Sequence, residues 1–279
     1  MIGQTERLLE LQRLKAQEKK PEGRGKIISF SSGKGGTGKT FVSLNTAYAL
    51  SRIGKKVLLI DLDSNLSNIN IMLNLRPEKT ILNFLLQKNS LRDLITRYEP
   101  SLHFIFGESG KADYPIQSDH LLDYLIEEIK DLCREYDYVI LDIGAGAGDE
   151  IIHLLSQVHA NIIVLNAEPT AIMDAYVIVK LMHMKGATTP NFAVVNKCFS
   201  EEEASTAFLN LSKAAEHFLK ENVISLGSVG HDQLVTRSIM SQELYIKKNP
   251  RSKTSLQIIK LAQGIVQKLK QQQVKATGF

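Results

Sequence analysis

The sequence predicts an α/β fold, a doubly wound, mostly parallel sheet with helices on both faces, and three observations carry that expectation. Short apolar runs recur near residues 26–31, 57–61, 102–106, 138–142, 161–166, 191–196 and 223–227. Most are separated by stretches long enough for a crossover helix, the alternation that builds a parallel sheet. Some runs are continuously apolar, as in Val57-Leu58-Leu59-Ile60, which fits strands buried on both faces. Finally, the first run, Lys26-Ile27-Ile28-Ser29-Phe30-Ser31, leads through a glycine-rich loop into residues 40–53, whose apolar residues fall at helical spacing. No internal repeat is visible.

The loop itself, Gly33-Lys34-Gly35-Gly36-Thr37-Gly38-Lys39-Thr40, has the composition and the position of a phosphate-binding loop. Four glycines let backbone N–H groups turn inward and approach phosphate oxygens closely. Lys39 then reaches the β- and γ-phosphates, and the Thr40 hydroxyl is placed to ligate Mg²⁺. A strand before the loop and a helix after it are the context that this chemistry requires.

Lys34 adds a cation that an ordinary phosphate loop does not need. With it, the sequence resembles the deviant P-loop ATPases of the MinD/ParA family, whose pattern is K-G-G-x-G-K-[T/S]. The resemblance implies ATP as the nucleotide, Mg²⁺ as its metal, and a homodimer in the ATP state in which Lys34 reaches the partner's nucleotide. A cation near the scissile phosphate stabilises the negative charge that develops in phosphoryl transfer, as an arginine finger does.

The run at 57–60 ends in Asp61-Leu62-Asp63. Carboxylates at the C-terminal end of a parallel strand sit beside the phosphate loop in an open α/β sheet. By resemblance, Asp63 orients the attacking water and Asp61 helps to hold the magnesium shell; aspartates here also serve as turn and cap residues. In Tyr138-Val139-Ile140-Leu141-Asp142-Ile143-Gly144, another apolar run delivers an aspartate, followed by a glycine-rich stretch. Asp142 reads as the Walker B carboxylate, contacting Mg²⁺ through water, and residues 144–148 read as a switch segment that senses the γ-phosphate. Catalysis is thus expected from Lys34, Lys39 and Asp63, and metal binding from Thr40, Asp61 and Asp142.

Residues 161–176, Asn161-Ile162-Ile163-Val164-Leu165-Asn166-Ala167-Glu168-Pro169-Thr170-Ala171-Ile172-Met173-Asp174-Ala175-Tyr176, narrow the resemblance. They are similar to the strand and P-E-P-T-x-x-x-D-A-Y segment of the FlhG branch, also called YlxH or FleN, which controls flagellar number and placement. Ala167 stands where that pattern has its first proline. Pro169 suits a helix start, where its missing N–H costs nothing; a dimer or partner contact for the segment is the other open reading. In Phe192-Ala193-Val194-Val195-Asn196-Lys197, the resemblance makes Asn196 the reader of adenine, while an asparagine after a strand also caps a turn.

At 279 residues, with 43% hydrophobic content, the chain is long enough for one large α/β domain, expected over 26–266. An N-terminal extension, 1–25, and a basic tail, 267–279, flank it. In the extension, Leu8, Leu11 and Leu14 fall at near-helical spacing before Pro21-Glu22-Gly23 breaks the pattern. The FlhG branch has there a D-Q-A-x-x-L-R segment that activates the signal-recognition-type GTPase FlhF. Gln4 and Leu8 match it, and Gly3, Thr5 and Leu9 depart from it. FlhF and flagellar basal-body components are the partners that this resemblance implies.

From Lys247 onward the chain carries no acidic residue, and Ile258, Leu261, Ala262, Ile265 and Leu269 share one helical face. Such a stripe packs on a sheet or lies on an anionic membrane; packing is expected for 255–266 and membrane attraction for 267–279. Residues 107–117 form the clearest internal loop, and Glu201-Glu202-Glu203 after Ser200 reads as an acidic helix start. Cys133 and Cys198 are too far apart in sequence for a local metal clip, and the seven histidines are scattered. No run of about 18 apolar residues is present, so a cytoplasmic protein is expected, and the resemblance implies peripheral membrane association in its ATP state. Two function classes follow: a spatial switch ATPase acting on membrane and protein partners, or a ParA-type partition ATPase binding DNA nonspecifically. A net charge of +4 and a pI near 8.9 allow the second; the Glu168-Pro169-Thr170 segment and the N-terminal extension favour the first.

Overall fold

The computed structural model describes residues 25–63, 68–108 and 119–277. The leucines of the N-terminal extension and most of the 107–117 loop lie outside the described residues. The strands are β1 (Lys26–Ser31), β2 (Val57–Leu62), β3 (Thr96–Glu99), β4 (Leu102–Ile105), β5 (Tyr138–Ile143), β6 (Ala160–Leu165), β7 (Asn191–Cys198) and β8 (Val223–Gly230). They form one sheet in the order β3-β4-β2-β5-β1-β6-β7-β8. Every pairing is parallel except β3 with β4.

The helices are α1 (Lys39–Arg52), α2 (Ile69–Met72), α3 (Ile81–Leu85), α4 (Asp119–Leu132), α5 (Asp149–Ser156), α6 (Pro169–Met184), α7 (Glu201–Leu219), α8 (Gln233–Met240), α9 (Tyr245–Lys248) and α10 (Lys253–Thr277). Successive strand residues point to opposite faces, so Ile27 joins one core while Ile28 and Phe30 join the other. Helices α3 to α7 cover the first face, and α1, α9 and α10 cover the second. Helix α1 is buried nearly all round, from Lys39 to Leu50, because it lies at the middle of the sheet under α9 and α10. At the outer edge, Ser200 caps α7 by accepting from the Glu203 N–H at 3.1 Å, with three glutamates in the first turn.

Helix α10 passes residue 266 without a break, and Leu269, only 5% exposed, continues the stripe of Ile258, Leu261, Ala262 and Ile265 into the core. No described helix is long and apolar enough to cross a membrane. Strand β3 was not expected: Thr96-Arg97-Tyr98-Glu99 is a short, polar edge strand that, among the described residues, pairs on one side only, so it carries no apolar run.

A buried polar ladder fixes the register of the central strands. Asn161 Oδ1 accepts from Ser29 Oγ at 3.1 Å and from Ser31 Oγ at 2.7 Å, and Asn161 Nδ2 donates to Asn191 Oδ1 at 3.0 Å. β1, β6 and β7 are thereby tied side chain to side chain as well as backbone to backbone.

Candidate active site

The loop of residues 33–40 leaves the C-terminal end of β1, which lies between β5 and β6. It enters α1 through Gly38, whose φ of 85° is left-handed and whose added Cβ would collide with the Asn196 amide, so any other residue there is strained and displaces that amide. At the start of the loop, Gly33 lies against the backbone of Asp174 in α6, where a Cβ would also collide. The loop is thus clamped from two neighbouring elements, α6 and β7.

Inside the loop, Lys39 Nζ donates to Asp142 Oδ1 at 2.8 Å, with side chains 6% and 0% exposed. Burying such a pair costs desolvation that the attraction repays only with good geometry, so its presence points to a task other than stability. Among the described residues, the second oxygen, Asp142 Oδ2, is buried with no hydrogen-bond partner, and the same holds for Thr37 Oγ1 in the loop. Asp61 stands beside Asp142 on β2 in parallel register and is fully buried. Its Oδ1 accepts from the Asp63 N–H at 3.1 Å, and its Oδ2 accepts from Asn68 and Ile69 N–H at 3.3 and 3.4 Å. Asp61 therefore ties residues 63, 68 and 69 to the end of β2, and Asp63 lies beside Gly144. The Gly146 N–H donates to Ser32 O at 2.9 Å, joining the 144–148 segment to the loop.

A cavity of about 490 Å³ opens over these groups, with Gly36, Lys39, Thr40, Asp63, Ala145 and Ile239 among its walls. That is the size of a small-molecule site. The loop N-terminal to α1 suits a phosphate chain, and an unpartnered Asp142 oxygen with Asp61 and the Thr40 hydroxyl suits a hard cation that prefers oxygen.

Lys34 lies outside this buried set. Its side chain is 42% exposed and donates to Glu168 Oε2 at 2.7 Å and Thr170 Oγ1 at 3.3 Å. The hydrogen bond from Lys34, and then its charge, hold the Glu168 carboxyl below its ordinary value. Glu168 is the N-cap of α6 and Pro169 its first residue. Asn196, 3% exposed, donates from Nδ2 to Thr37 O at 2.8 Å, so its amide grips the loop backbone. Lys197, at φ 60°, donates to Gly36 O at 2.7 Å. Neither Lys197 nor Asp174 was expected at the loop, and no local signal marks them. Cys133 and Cys198 are buried thiols, each pushed up to about 11 by burial, which keeps them protonated and unreactive.

A glycine loop at the end of a central parallel strand, with a lysine paired to a carboxylate on the next strand, defines a P-loop nucleotide-binding protein. Known proteins refine that class. An AAA domain family model matches residues 25–192. Antiactivator FleN of Pseudomonas aeruginosa is 30% identical over 239 residues, covering 86% of this chain and 85% of that one. The flagellum site-determining protein YlxH of Helicobacter pylori is 30% identical over 277 residues, covering 96% and 92%. Among solved structures, the septum site-determining protein MinD from Pyrococcus horikoshii, complexed with Mg-ADP, matches with a TM-score of 0.71 at 25% identity over 86% of this chain and 96% of its own. The chain belongs to the MinD/ParA family of P-loop ATPases, among its FlhG-like members.

Proposed function

We propose that the protein is a Mg²⁺-dependent ATPase that acts as a dimerising switch in the control of flagellar number or placement. The observation that carries this reading is Lys34, an exposed cation five residues before the buried Lys39 and already contacting Glu168 and Thr170, in the segment whose pattern resembles the FlhG branch. The N–H groups of residues 33–40 and Lys39 bind the triphosphate, and Asp63 orients the attacking water. Thr40, Asp61 and Asp142 would hold Mg²⁺, which when bound neutralises charge on the β- and γ-oxygens. Lys34 leaves Glu168 and Thr170 to meet the nucleotide of a second protomer, so ATP binding and dimer formation are coupled. Asn196 holds the loop and reads the base.

In this cycle the cytosolic monomer and the membrane- or partner-bound dimer alternate, and hydrolysis resets the switch. The N-terminal extension, 1–25, engages a signal-recognition-type GTPase of the FlhF kind. Because Leu269 is packed, membrane attraction falls to the exposed basic side of α10, with Lys260 and Lys270.

The Asp63→Ala protein, loaded with ATP, tests the coupling: light scattering is expected to give a dimer with ATP and a monomer with ADP. A strictly monomeric ATP-bound form would end the sandwich reading. Sedimentation with anionic vesicles and, separately, with DNA, both with ATP, tests the cargo. Binding to DNA alone would replace the flagellar reading with a partition ATPase.

A further inference from the structure

Phe199 is 81% exposed, more than any other large apolar side chain among the described residues. Its backbone is nonetheless fixed. The Phe199 N–H donates to Glu203 Oε2 at 2.6 Å, and Ser200 caps α7 immediately after it. A second ring lies beside it: the centroids of Phe199 and His231 are 5.0 Å apart with planes tilted by 35°. The His231 N–H donates to Cys198 O at 2.8 Å, so both rings are carried on the paired ends of β7 and β8.

These ends are next to the phosphate loop. Only two residues before Cys198, Asn196 grips Thr37 O, and Lys197 grips Gly36 O. In an open α/β sheet a ligand lies beyond the C-terminal ends of the strands. A nucleotide with its phosphates on the β1 loop and its base toward Asn196 therefore extends in the direction of β7 and β8. Aromatic side chains bury large areas and offer a π-face that any base can stack on. We propose that Phe199, supported by His231, is the stacking platform for the adenine base of the bound nucleotide. The proposal rests on the reading of residues 33–40 as an ATP site and adds to it the residue that supplies base affinity. Stacking is tolerant of base identity, so selectivity among bases stays with hydrogen-bonding groups near Asn196.

The chain contains no tryptophan, so Phe199→Trp creates a single indole reporter. Its emission is expected to change saturably with Mg-ADP and to stay constant with inorganic tripolyphosphate, which occupies the loop without a base. In isothermal titration, Phe199→Ala is expected to weaken ADP binding between about five-fold and about a hundred-fold. Tripolyphosphate affinity is expected to stay at the wild-type value, and Phe199→Tyr is expected to restore ADP binding. Phe199→Leu, which keeps the apolar bulk and removes the ring, should behave as the alanine variant does. Wild-type ADP affinity in Phe199→Ala, or an indole that ADP leaves unchanged, would overturn the platform while leaving the ATP site intact. A wild-type protein that binds neither ADP nor tripolyphosphate would overturn both.

Discussion

Lys39 and Lys34 belong to one loop, five residues apart, and the fold treats them in opposite ways. Lys39 is 6% exposed and locked to a fully buried aspartate; Lys34 is 42% exposed and held by a glutamate that is itself 57% exposed. A buried ion pair cannot let go of one partner without leaving a charge stranded in the protein interior, whereas an exposed pair exchanges with water at little cost. The inner lysine is thus suited to a fixed task and the outer one to a change of partner.

The largest break in this comparison is Lys39→Ala. It strands Asp142, so stability in urea denaturation should fall by about 3–5 kcal/mol, together with loss of nucleotide binding. The double variant Lys39→Met, Asp142→Leu should regain most of the stability and none of the binding, which separates the cost of the charge from its use. Next comes Lys34→Ala. Here hydrolysis should fall about a hundred-fold or more in steady-state assays and ATP-dependent dimerisation should weaken, with the ADP affinity of the monomer and thermal melting at wild-type values. A matching loss of ADP affinity in the monomer would place Lys34 in its own protomer's site instead. Third, Glu168→Ala removes the resting partner of Lys34, so ATP-dependent dimerisation, followed by light scattering, should shift to lower ATP concentration with the melting temperature unchanged.

The smallest effect lies away from the loop. His103 is 7% exposed and hydrogen-bonded to the Tyr136 hydroxyl at 2.8 Å; burial first, then Lys56 and Arg97, hold it below its ordinary 6.5. Burial also pushes Tyr136 up to about 12, so its hydroxyl beside His103 stays protonated. Because the folded value is depressed, the unfolded chain binds more protons in acid. Stability should be complete above pH 6.5 and drain away as pH falls through that value toward the folded one. Denaturation curves of His103→Gln should show a flatter slope in that window.

Much of this arrangement is legible in the sequence, because its signals are local. The loop, the strand before it and the helix after it are contiguous, and Asp142 ends an apolar run that needs no knowledge of its neighbours. Continuous runs such as Val57-Leu58-Leu59-Ile60 mark strands covered on both faces, which is why β2 was expected and the polar, single-sided β3 was not. What escapes is contact across distance. Glu168 meets Lys34 from 134 residues away and Lys197 meets Gly36 from 161, and neither pairing leaves a period or a spacing to read. The apolar stripe of α10 was visible, yet the burial of Leu269 depends on how far the sheet reaches beneath it.

The chain of amides and hydroxyls through Ser29, Ser31, Asn161 and Asn191 sets how the two ends of the nucleotide site can vary. It joins the strand that launches the phosphate loop to the one that carries Asn196. A slip of β6 by one residue would turn Asn161 to the other face and leave its buried partners unmatched, at about 1–3 kcal/mol for each group. The spacing between the phosphate loop and Asn196 is therefore quantised: the strands hold one correct alignment, with no series of nearly correct ones beside it. Rim residues can be retuned without changing it, and the reach from the loop to Asn196 stays constant as long as those four side chains do.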